Sequence, residues 1–65
     1  MIDVEKLYNA LGHDIKLVDN DGNEYEGTAD LFESKDDSGY DVAIIGLTNG
    51  QYYLQNDIKS IEITD

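Results

Sequence analysis

The chain has no cysteine, no proline, no tryptophan and no arginine among its 65 residues, and 4 lysines stand against 15 aspartates and glutamates. Each absence closes a route. Without cysteine there are no disulfides to reinforce a small core, no thiolate metal site and no thiol nucleophile. No apolar run approaches the roughly 18 residues of a membrane span, and no basic segment leads into an apolar one, so a cytoplasmic protein with no membrane contact is expected. At a net charge of −11, the chain repels phosphate along its length. Nucleic-acid binding is driven by Lys and Arg that release condensed counterions. The charge therefore argues against a nucleic-acid partner and for a protein with a basic surface.

What is present suffices for a fold. Hydrophobic residues make up 40% of the chain and include five tyrosines, and their regular spacing separates it from acidic disordered segments. Residues 1–65 form a single domain. A chain this short buries only about 60% of its unfolded surface, which leaves a thin core and little room to enclose a catalytic pocket.

The spacing predicts one helix and five strands. In "MIDVEKLYNALG" the apolar residues Ile2 or Val4, Leu7, Tyr8 and Leu11 share one stripe, giving a helix over about 2–11. Asp3 is placed to cap its start and Gly12 to end it. The period then becomes two, with strands over about 13–19, 23–33, 40–48, 51–55 and 58–64. Asp21-Gly22 and Asn49-Gly50 are the turn signals of two hairpins, and "SKDDSG" reads as a loop. Gly27 and Gly46 sit in mid-strand, where a sharp bend needs no Cβ. The fold expected is mainly β with one N-terminal α-helix, a strongly bent five-stranded antiparallel sheet closing into a small barrel. Tyr52 and Tyr53 must point to opposite faces, and Leu54, two residues on, assigns Tyr52 to the core and Tyr53 to the outside.

The order helix, strand, Asp-Gly turn, strand with a mid-strand glycine, variable loop, strand, hairpin, strand, tight turn, strand resembles the Sm-like (LSm) proteins, the group that includes Hfq. The resemblance runs through "LGHDIKLVDNDGNEYEGTADLF" and "YYLQNDIKSIEI" and covers essentially the whole chain. It looks closest to short acidic Sm-like proteins of Gram-positive bacteria and their phages. It implies a small barrel able to assemble by pairing the edges of strands four and five between subunits. A homo-oligomer is compatible with this pattern without being required by it. RNA-binding members carry an Asp-x-x-x-Asn loop after strand two and an Arg or Lys before the last strand. Here the loop is "ESKDDSG", and the later positions hold Gln55 and Asn56. Both nucleotide-contacting elements are altered, and the loop gains Asp36 and Asp37.

Chemistry is sparse. As an EF-hand, "DNDGNE" with Gly22 at the sixth position puts Leu17 at the first and Thr28 at the twelfth, where oxygen ligands belong, so it reads as a turn. His13 is the only histidine and has no neighbouring nucleophile to activate. No enzyme activity, metal or cofactor is implied. The residues marked for partner binding are the loop acids Glu33, Asp36, Asp37 and Asp41, together with Tyr53, an outward aromatic that serves either as an interface anchor or, the favoured reading, as an ordinary cross-strand packing residue. The function expected is a non-enzymatic protein-interaction module, in its sharper form an inhibitor occupying a basic surface of a partner. The alternatives are an RNA-binding Sm-like protein with weakened contacts and an oligomer that holds a small ligand.

Overall fold

Asp3 opens the first element of the computed structural model, which describes residues 1–65. Its carboxylate accepts from the Glu5 N–H at 3.1 Å, satisfying one of the orphan donors at the start of helix α1, Val4–Ala10. Gly12, at φ +87°, ends the helix in the left-handed region that glycine reaches without strain. Seven residues make a marginal helix alone, and α1 is held by burying Leu7 and Ala10 completely.

The strands follow as β1 (Asp14–Asp19), β2 (Glu24–Glu33), β3 (Ile44–Leu47), β4 (Tyr52–Leu54) and β5 (Ile58–Ile63). All pair antiparallel in one sheet of order β4-β3-β2-β1-β5. Helix and sheet share one core: Leu7 and Ala10 from α1 meet Ile15, Leu17, Ala29, Ala43, Ile45, Leu47 and Ile58.

The expected barrel does not close. β4 and β5 lie at opposite ends of the strand order and exchange no ladder bonds. β4 is only three residues long, and a 3₁₀ turn over Gln55–Asp57 then carries the chain across to pair with β1. The sheet is bent but open.

Bulges supply part of that bending. One lies between Val18 and Asp19 against β5, the other between Ala29 and Leu31 against β3. The second has a consequence that simple alternation misses. Asp30 is the extra residue, so Leu31 pairs with Gly46 on the outer face while Phe32 pairs with Ile45 on the core face. Gly27 and Gly46 admit close approach in this region. A Cβ on Gly46 would lie 3.0 Å from the Leu31 Cβ and 3.2 Å from the Tyr52 Cδ1, and one on Gly27 would lie 3.3 Å from the Thr48 Oγ1.

The two tyrosines are placed opposite to the sequence expectation. Tyr53 pairs with fully buried Ile45 and packs on the core, whereas Tyr52 pairs with Gly46 and is 63% exposed. Leu54 shares Tyr52's side of β4, but that side is the sheet's outer face. It is apolar because Leu31, Ile44 and Leu54 all lie there, so an apolar neighbour was no guide to the core.

The third strand is shorter than expected and begins at Ile44. Residues 40–42 are held out of the ladder by a local knot. The Ser38 Oγ donates to the Val42 carbonyl at 2.6 Å and accepts from the Tyr40 N–H at 3.1 Å, and Asp41 takes a φ of 64°. The preceding "SKDDSG" loop contains a single helical turn, α2 (Lys35–Ser38), ended by Gly39 at φ 82°.

Candidate functional site

Two hairpins are built the same way. Gly22 N–H donates to the Asp19 carbonyl and Asp19 N–H to the Asn23 carbonyl, each at 3.0 Å. Gly50 N–H donates likewise to the Leu47 carbonyl at 3.0 Å, and Leu47 N–H to the Gln51 carbonyl at 3.1 Å. Both are three-residue loops closed by a left-handed glycine at φ +87°. Asn49 itself does not adopt a positive φ. Its side chain instead accepts from the Gln51 N–H at 2.9 Å and donates to the Tyr53 hydroxyl at 3.0 Å.

Asp19 organises the first hairpin. Its Oδ1 accepts from the N–H groups of Asp21 and Asn23 at 3.0 and 2.9 Å. Its Oδ2 accepts from the Asn23 amide at 3.2 Å and the Tyr25 hydroxyl at 3.3 Å. Partial burial opposes ionisation, but these donors outweigh it and hold the Asp19 carboxyl below the ordinary aspartate range. Burial, then the Asp19 charge, raises the Tyr25 phenol above its usual value. With both oxygens engaged inside the turn, Asp19 is a structural carboxylate. The signal for it was in the sequence, because Asp is favoured at the first position of a type I turn.

This hairpin leans on the turn between β4 and β5. Asn20 donates through its side chain to the Asn56 carbonyl at 2.8 Å and through its backbone to the Asp57 carbonyl at 3.0 Å. Between the two turns and β4 opens a cleft of about 310 Å³. Tyr52, Tyr53, Leu54 and Ile58 form its apolar side, and Asp19, Asp21 and Asp57 its acidic rim. The Tyr53 ring stands 4.9 Å from that of Tyr25, so it is fixed from behind. The carboxylates of Asp21 and Asp57 enter no hydrogen bond or ion pair within the chain.

Of the residues marked from the sequence, Tyr53 and Asp21 meet at this cleft, although Asp21 was marked only as a turn residue. Glu33, Asp36, Asp37 and Asp41 do not line it. They occupy the corner between β2 and β3. There Asp37 accepts from the Ser34 hydroxyl at 3.3 Å, and Asp41 lies 3.8 Å from the Lys35 ammonium. Tyr53 reaches the cleft from the core side, so it is not the outward-facing residue expected. Asp57 and Tyr52 were not marked at all.

Gln55 has a different role from the one its position suggested. It is nearly buried, and its Oε1 accepts from the Ala43 N–H at 3.3 Å while its Nε2 donates to the Ile2 carbonyl at 2.8 Å. The amide ties the first residues of the chain to the start of β3. Asn56 beside it is exposed. At the far end of β1, Asp65 accepts from the Asp14 N–H and from His13 Nδ1, each at 3.1 Å. Those two donors, the backbone one first, lower the Asp65 carboxyl. No three His, Cys, Asp or Glu side chains converge as a metal ion would require, and no helix is long and apolar enough to cross a membrane.

Comparison with known proteins found no matching family model, curated protein or solved structure.

Proposed function

We propose that this chain is a non-enzymatic protein-interaction module of the Sm-like kind, which acts by occupying a basic surface of a partner protein. The observation that carries this reading is the cleft beside β4, where apolar side chains lie next to the unpaired carboxylates of Asp21 and Asp57. Such a surface offers burial and charge together, the combination that steers and then holds a basic partner. The cations of the chain do little to offset it. Lys16 and Lys35 lie 3.8 Å from Glu24 and Asp41, leaving Lys6 and Lys59 as the lysines outside any ion pair.

The Sm-like part of the reading is supported by the strand order β4-β3-β2-β1-β5, which leaves the fourth and fifth strands as free edges. RNA binding draws less support. The Gln55 amide is engaged with Ile2 and Ala43, and the loop after β2 presents Asp36 and Asp37.

Fluorescence anisotropy at low salt separates these readings. A labelled lysine-rich polypeptide and a labelled single-stranded RNA of similar length are each titrated with the protein. The proposal expects binding of the polypeptide that weakens as salt is raised, and none of the RNA. Tight, salt-sensitive RNA binding would overturn it.

A further inference from the structure

We infer that the cleft beside β4 is a docking groove for an extended peptide segment bearing Lys or Arg. The segment adds to the free edge of β4 and seats its basic side chains against Asp21 and Asp57. This inference rests on the protein-interaction reading above and gives it a place and a partner chemistry.

Leu47 N–H donates to the Gln51 carbonyl, and Gln55 N–H to the Ala43 carbonyl, at the two ends of the β3–β4 hairpin. Bonded and non-bonded pairs alternate along an antiparallel ladder. The pairs Gly46–Tyr52, Ile45–Tyr53 and Ile44–Leu54 lie between those ends, so Tyr53 exchanges bonds with Ile45. Tyr52 and Leu54 then turn their N–H groups to the free edge. An extended peptide can accept both, and such main-chain pairing gives affinity without demanding a particular sequence.

The side chains define which peptide. Along the same edge lie the rings of Tyr52 and Tyr53, and the groove is closed by Ile58. Alternate residues of an added strand face opposite ways, so one set lies beside Tyr52 and Leu54 on the outer face. The other set lies on the side of Tyr53, where Ile58 is next to Asp21 and Asp57, whose carboxylates have no partner of their own. Lys and Arg satisfy both surfaces, since their aliphatic stems cover apolar groups while the charged head reaches a carboxylate. Tyr52, 63% exposed, offers a ring face to the same cations. A second copy of the chain is the poorer occupant, because it would bring −11 charges against −11.

The test uses the whole protein and a fluorescent peptide of alternating lysine and valine. Two double variants carry the same change of charge: Asp21→Asn with Asp57→Asn at the groove, and Asp36→Asn with Asp37→Asn at the β2–β3 corner. The inference expects the groove pair to weaken binding roughly fivefold or more and the corner pair less than about twofold, since rim charge pairs are individually modest. It also expects the amides of Tyr52 and Leu54 to shift in NMR spectra and to gain protection from exchange on peptide addition. Equal weakening by both pairs, with no protection at β4, overturns the groove while leaving the acidic-surface reading intact. Absence of any peptide binding by the wild-type protein overturns both. Protection of Tyr52 and Leu54 in a peptide-free dimer, seen by light scattering, replaces the peptide with a second copy and overturns the inference.

Discussion

The Tyr25 hydroxyl donates to Asp19 Oδ2 at 3.3 Å, and this contact ties the first hairpin turn to the strand that leaves it. The pair links stability to pH at both ends of the scale. The Asp19 carboxyl is lowered in the folded chain. Its contribution is present above the unfolded aspartate value, about 3.9, and is lost as pH falls through the folded value. The Tyr25 phenol is raised. Its contribution is complete below about pH 10 and is lost as pH rises through the folded value. Asp19→Asn is expected to lower Tm at neutral pH and to flatten the acid limb of a Tm-against-pH curve, and Tyr25→Phe to flatten the alkaline limb. An Asp19→Asn acid limb superimposable on that of wild type would refute the assignment.

Gln55→Ala should destabilise the protein by about 1–3 kcal/mol, the cost of leaving the Ala43 N–H and the Ile2 carbonyl without a partner in a nearly buried position. Urea unfolding measures this directly. A change within a few tenths of a kcal/mol would mean that the amide is free and that this position is open to an outside ligand.

Gly46→Ala should be the costlier of the two mid-strand glycine substitutions, by about 1–3 kcal/mol through overpacking. The new methyl would meet the Leu31 Cβ at 3.0 Å, with the Tyr52 ring at 3.2 Å. Gly27→Ala faces milder contacts, the nearest being the Thr48 Oγ1 at 3.3 Å. The reverse order of Tm losses would contradict the outer-face packing described for Leu31 and Tyr52.

Raising salt should raise Tm. The molecule measures 29 × 24 × 20 Å and carries a net charge of −11. At an ionic strength of about 0.01 M the screening length is about 30 Å, so the whole charge repels itself, whereas at 0.1 M it falls to about 10 Å. A scanning-calorimetry series in sodium chloride checks the sign. A falling Tm would mean that the ion pairs of Lys16 and Lys35 outweigh the repulsion.

The element order was legible because its signals are local. Asp3 and Gly12 bound the helix, the two glycine turns fix the hairpins, and period-two runs mark the strands. The errors came where a neighbour in space overrides the period. Asp30 adds one residue to β2 and exchanges the faces of Leu31 and Phe32, and the apolar outer face around Ile44 reversed the reading of Tyr52 and Tyr53. Barrel closure was not legible either, since it depends on where the Gln55–Asp57 turn sends β5. The same limit explains the site. Asp21 and Asp57 stand 36 positions apart in the chain and meet at one cleft only because Asn20 bonds to the carbonyls of Asn56 and Asp57.

The central claim, that this acidic surface exists to hold a basic protein, is tested most directly by capture from the native cell. The tagged protein is used at low and high salt, each with and without ribonuclease. The account predicts a basic protein retained at low salt, released at high salt, indifferent to ribonuclease and lost with the Asp21→Asn, Asp57→Asn variant. Retention of RNA, or of proteins released by ribonuclease, would contradict it.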